Sequence, residues 1–159
     1  PLRKAEVTAE LAMATFFAIA NGLGRIGWGV ISDFIGRKAS LVLMLISQTV
    51  VMPAFFWLAQ TPALFYLGAC WIGFNFGGNF ALFAAATADL FGNKNVGSNY
   101  GWVFTSYGIG GILGGYFGDV AKASGQLHAW LVPFLVAAGA CFLATLLAIA
   151  LQPPREQKS

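Results

Sequence analysis

Arg25 lies in the stretch AIANGLGRIGWGVISDFIGRK, residues 18–38, where its neighbours are mostly apolar residues and glycine. A guanidinium in hydrocarbon costs at least ~2.5–3.5 kcal/mol even on lenient insertion scales. It must therefore face a protein interior or a wet cavity, and it needs a negative partner. No other charge lies deep in an apolar segment of the chain. The simplest partner is an anion that comes and goes, so the chemistry is reversible capture of a small carboxylate. Asn21, four residues earlier, shares a helix face with Arg25. Its neutral amide can orient a carboxylate without cancelling the cation, while the planar guanidinium fork holds the carboxylate bidentately. The competing reading lets Arg25 reach for the membrane interface or pair with an acid beyond this sequence. Asp33 is eight residues on, about 12 Å along a helix axis, a long reach for one side chain.

A second group of residues suits a pocket. Asn75 and Asn79 share one helix face, with Phe76, Phe80 and Phe83 close beside it. Apolar walls with a few polar contacts are the usual recipe for small-ligand sites, although membrane helices also use Asn simply to bond one another. Tyr107, after Thr105 and Ser106, can donate a hydrogen bond to a bound anion or to a backbone carbonyl. Gly108, Gly110, Gly111, Gly114, Gly115 and Gly118 repeat small residues at four-residue spacing, a pattern that permits close helix approach.

Two further clusters fall at segment ends. Asp33 closes its helix where the dipole disfavours negative charge, so Arg37, Lys38 or the N-terminus of a neighbouring helix is expected to compensate it. Made in one conformation and broken in another, such a contact is a latch. Lys122 and His128 fall in a loop at the opposite side, where the histidine could serve as a pH-responsive outer gate or simply as a solvated side chain. No nucleophile–base pair or metal-ligand cluster occurs within the apolar segments, which argues against an enzyme; no metal or cofactor is expected.

These residues need membrane helices to hold them. Hydrophobic residues make up 58% of the chain and charged ones 9%, against about 45–50% and 25% in soluble domains. This excludes an ordinary soluble domain. The net charge of +3 is scattered among loops and ends, with no stripe that could track nucleic acid. Cys70 and Cys141 lie in apolar segments and read as small buried hydrophobes. With about 20 residues needed per crossing, five spans are expected, at about 8–31, 39–59, 62–90, 96–118 and 129–151, with Pro53 bending the second. Residues 152–159 form a tail. Short breaks make neighbouring helices antiparallel, and no segment alternates as a barrel strand would. With Arg37, Lys38, Lys94, Arg155 and Lys158 inside and Arg3, Lys4 and Lys122 outside, the C-terminus is cytoplasmic.

GVISDFIGRK, residues 29–38, resembles the loop signature of the major facilitator superfamily, Gly-x-x-x-Asp-x-x-Gly-Arg-Lys/Arg. Gly29, Asp33, Gly36, Arg37 and Lys38 fill its positions, and Phe34 stands where the family usually has a basic residue. NGLGR followed by this motif, and DLFGNKNVGSNYG from Asp89, resemble the oxalate:formate antiporter and monocarboxylate transporter branches. The resemblance implies an all-α fold of twelve helices in two halves around a central cavity. The five spans here would be helices eight to twelve, a partial C-terminal bundle whose partners are helix seven, the N-terminal half and the lipid bilayer, in a bacterial cell membrane.

The same resemblance implies that Arg25 binds a substrate carboxylate. Asn21 stands where animal monocarboxylate carriers have a proton-coupling aspartate, and Tyr107 where the antiporters have a second cation, a lysine. One core cation suits a monoanion such as lactate or pyruvate, carried with a proton by rocking of two helical halves. Arg25, Asn21, Phe76, Asn79, Phe80 and Tyr107 are then the substrate-binding residues. The alternative is an anion exchanger for dicarboxylate and formate.

Overall fold

The computed structural model describes the backbone of residues 2–152 and, residues 2–10 and 12 excepted, their side chains. Arg155 and Lys158, and the side chains of Arg3 and Lys4, lie outside the described residues. Five helices follow in order: α1 (Leu2–Ile35), α2 (Arg37–Leu58), α3 (Pro62–Phe91), α4 (Val96–Ser124) and α5 (Leu131–Ala150), with a 3-10 turn, Leu127–Trp130, ahead of the last. No strand occurs among the described residues. An apolar chain that must satisfy its own backbone hydrogen bonds has the helix as its local solution.

The breaks between helices have local causes. A single residue, Gly36, separates α1 from α2 at φ 86, a conformation open to glycine because it lacks Cβ. Its N–H donates to the Ser32 carbonyl at 3.0 Å, and its carbonyl accepts from the Ser40 N–H at 3.1 Å, so little hydrogen bonding is lost at the corner. Pro62 opens α3, where its missing N–H costs nothing. Gly125 closes α4 in the left-handed region at φ 64. Pro53 lies inside α2, which continues through it to Leu58.

Three segments, Arg37–Leu58, Pro62–Phe91 and Leu127–Ala150, are long and apolar enough to cross a membrane by length and composition. Asn21 and Arg25 lower the hydropathy of α1, and glycine and polar residues lower that of α4. The core sits between α1, α2 and α3, where Trp28, Leu41, Met44, Leu82 and Ala86 are buried and Ile31, Phe74 and Phe83 pack against them.

Glycine decides how closely α1 and α3 approach. Gly24 faces the main chain of Phe74 and Gly77 faces the main chain of Asn21, so a Cβ at either position would collide with backbone. A Cβ at Gly73 would lie 3.0 Å from the Phe17 carbonyl oxygen. The glycines of α4 behave differently from the expectation raised by their spacing. At Gly108, Gly110, Gly111, Gly114, Gly115 and Gly118 a Cβ would meet nothing within 4 Å among the described residues. Helix α4 meets α3 instead through Phe104 and Tyr107, which pack on Phe76 and Phe80. Those rings set the spacing and leave the glycines uncovered.

Candidate functional site

A cavity of about 280 Å³ lies between α2, α3, α4 and α5. Four of the residues expected to bind substrate line it: Phe76, Asn79 and Phe80 from α3, and Tyr107 from α4. They meet because the i, i+4 spacing of Phe76 and Phe80 stacks both rings towards α4, with centroids 5.4 Å apart. The Tyr107 ring lies 5.7 Å from Phe76 and 5.9 Å from Phe80, and Phe104 lies 5.2 Å from Tyr107. Thr105 and Ser106 spend their hydroxyls on their own helix, donating to the Trp102 and Val103 carbonyls at 2.6 Å. Gln48 of α2 and Ser106 add polar atoms to the lining.

Arg25 stands beside this cavity rather than in its lining. Its guanidinium carbon lies 4.7 Å from the centre of the Phe80 ring, within the ~6 Å at which a cation gains from an aromatic quadrupole. Among the described residues no carboxylate lies within 4 Å of Arg25. Phe80 is thus shared, packing against the cation and forming one wall of the cavity. Asn21 is not brought to the cavity; what it contributes to the helix crossing is its main chain, against Gly77.

The two α3 amides divide. Both line the cavity, but Asn75 is 1% exposed and uses its whole amide to join three helices. The Trp28 indole N–H of α1 donates to Asn75 Oδ1 at 3.1 Å, and Asn75 Nδ2 donates to Ser47 Oγ and Gln48 Oε1 of α2, both at 2.9 Å. A buried amide left unbonded costs ~1–3 kcal/mol, so this satisfied network fixes α1 and α2 against α3. Sequence reasoning saw Asn75 only as a possible polar contact. Its three partners are 27 to 47 residues away, and no local spacing points to them.

At the end of α1, Arg37 supplies the compensation expected for Asp33. Arg37 Nη1 donates to Asp33 Oδ1 at 2.9 Å and to Ser32 Oγ at 2.6 Å. Its Nε lies 3.4 Å from Asp89 Oδ2 near the end of α3, an acid that sequence reasoning had placed only as the start of a loop motif. Lys38 does not serve Asp33: its Nζ donates to the Leu151 carbonyl beyond α5 at 2.8 Å. Gly29 is half-buried with open space about it, and Gly36 makes the corner. Lys122 and His128 lie at the other end of the bundle, both exposed, with the His128 ring 5.9 Å from that of Phe56. Cys70 and Cys141 are free and half-buried.

Residues 5–159, nearly the whole chain, match the Major Facilitator Superfamily. The chain belongs to that superfamily. Its all-α membrane fold is that of the superfamily, with the five helices standing as helices eight to twelve of twelve. Among curated superfamily relatives, the chain is 30% identical over 107 residues to an uncharacterized MFS-type transporter, YhjX, of Escherichia coli (strain K12), covering 67% of this chain and 27% of that protein. It is 30% identical over 134 residues to an oxalate:formate antiporter of Oxalobacter formigenes, covering 84% of this chain and 31% of that protein. With apicoplast pyruvate carrier 2 of Toxoplasma gondii it shares 33% identity over 109 residues, 66% of this chain and 16% of that one. The chain therefore spans less than a third of the length of these relatives. In this superfamily chain Asp33 and Arg37 lie in the 29–38 stretch, with Asp89 of α3 paired to Arg37, and the Arg25–Phe80 pair lies beside the cavity.

Proposed function

We propose that the transporter containing this chain moves a small monocarboxylate, such as lactate or pyruvate, together with a proton, by alternating access. The observation that carries this reading is the Arg25 guanidinium, held on the Phe80 ring beside a cavity whose lining, among the described residues, includes neutral amides but no charged side chain. One cation matches one carboxylate, and the neutral lining matches a substrate whose remainder is uncharged. In this reading all five helices cross the membrane, with the Arg37 end in the cytoplasm. Arg25 pairs with the carboxylate, and Phe76, Asn79, Phe80 and Tyr107 shape the space beside it. Asn21 biases the carboxylate from the same helix face. The Asp33–Arg37–Asp89 cluster is the latch that one conformation makes and another breaks, and Lys122 and His128 flank the outer entrance. The likeness to a pyruvate carrier supports a monocarboxylate.

The test follows labelled lactate and pyruvate uptake by the complete transporter in liposomes, with and without an inward proton gradient. Gradient-stimulated uptake is expected, falling to background in Arg25→Gln while the variant still folds. Uptake unchanged in that variant would overturn the assignment of Arg25. A second reading, dicarboxylate/formate exchange, is favoured by the likeness to an oxalate:formate antiporter over 84% of the chain. It predicts no lactate uptake but rapid oxalate exchange once the liposomes are preloaded with oxalate.

A further inference from the structure

The geometry points to a preference within that substrate class: the cavity beside Arg25 is a side-chain pocket for an aromatic group, so the carrier favours arylalkyl monocarboxylates, such as phenylpyruvate, over three-carbon acids. This rests on the reading of Arg25 as the carboxylate anchor and goes beyond it in naming what the rest of the substrate is.

Size is the first ground. A cavity of about 280 Å³ is close to the lower end of the ~300–1,000 Å³ of small-molecule sites. With its carboxylate on Arg25, pyruvate or lactate would send little more than a methyl group past Phe80. Most of the space would stay wet against rings that gain nothing from water. A benzyl group has seven carbons and would bury far more apolar surface there than a methyl group.

The lining is the second ground. Five of the six pairs among Phe76, Phe80, Phe104 and Tyr107 hold their ring centroids 5.2–5.9 Å apart, in the range in which aromatic pairs take edge-to-face or offset arrangements. A further ring entering the cavity beside them meets partners of the same kind. Among the described residues no charged side chain lines the cavity, so none of them rewards a second carboxylate or an ammonium group. The polar edge is amide: Asn79, and Gln48, whose Oε1 is already taken by Asn75 and whose remaining polar atoms are N–H donors. The pocket therefore tolerates a ring bearing one hydrogen-bond acceptor, such as a phenol oxygen.

Connection to the anchor is the third ground. Arg25 rests on Phe80, and Phe80 lines the cavity, so the anchor and the cavity adjoin the same side chain.

The experiment is direct binding of phenylpyruvate and of pyruvate to the complete transporter by calorimetry, in wild type, Arg25→Gln, Cys141→Phe and Val103→Phe. The last two add bulk to the cavity from α5 and α4 independently, so misfolding of one leaves the other informative. Phenylpyruvate is expected to bind at least about tenfold more tightly than pyruvate, the discrimination that even a single methylene can reach in an apolar pocket. The ratio should fall towards one in the filled variants, and both acids should be lost in Arg25→Gln. Equal wild-type affinities, or a preference that survives both filling substitutions, would overturn the aromatic pocket while leaving Arg25 as the anchor. Binding of both acids undiminished in Arg25→Gln would overturn the anchor and the pocket together.

Discussion

Helix α3 meets its neighbours in two ways. Against α1 it lets main chain touch main chain: Gly24 faces Phe74, Gly77 faces Asn21, and the Trp28–Asn75 bond lies in the same seam. Against α4 it offers rings, Phe76 and Phe80 on Phe104 and Tyr107, with a cavity left between the helices. α1 and α4, two of the helices that face α3, are both glycine-rich, yet among the described residues only in α1 does a glycine touch α3. Close approach needs glycine opposite backbone. Glycine beside bulky aromatics gives a looser seam, and a looser seam is where a ligand fits.

The largest effect should come from Gly77→Ala. Its Cβ collides with the Asn21 main chain, which cannot rotate aside, so a loss of ~2–3 kcal/mol is expected in reversible unfolding in detergent. Asn75→Leu should come next: it leaves the buried Trp28 N–H without its acceptor and costs ~1–3 kcal/mol, with a changed Trp28 fluorescence reporting the local loss. Asp89→Asn should cost less than ~1 kcal/mol, because the Arg37–Asp89 pair is half exposed and solvent-screened. A latch would show instead as altered turnover at an unchanged unfolding midpoint. Smallest of all is Gly111→Ala in α4, expected to shift unfolding by less than ~0.5 kcal/mol. A cost near that of Gly77→Ala would mean that a helix beyond these residues lies against that face, and the two seams would then be alike.

Much of this was legible in the residues. Apolar runs broken at Gly36, Pro62 and Gly125 announce helices and their ends, because turn chemistry is local. Phe76, Asn79 and Phe80 declare a shared surface through i, i+4 spacing, and Arg25 declares itself by the cost of burying it. What failed to show was tertiary. Asn75 and Asn79 are the same residue type on one helix and both border the cavity, and only Trp28, Ser47 and Gln48, distant in the chain, make the first a structural bond. Asp89 was hidden because its partner Arg37 is 52 residues away. The α4 glycines allow a close neighbour that the described residues do not supply: small residues say that a neighbour can come close, not which one does.

The Phe80 ring beneath Arg25 bears on the idle half of a transport cycle. A cation–aromatic contact is worth ~0.5–2 kcal/mol depending on desolvation, a substantial part of the ~2.5–3.5 kcal/mol that a central arginine costs on lenient scales. In the carrier proposed above, the ring would be a resting place for the charge between cargoes, and an empty carrier could make its return stroke without the next anion. On that proposal, replacing Phe80 with leucine should shift the balance from net transport towards one-for-one exchange.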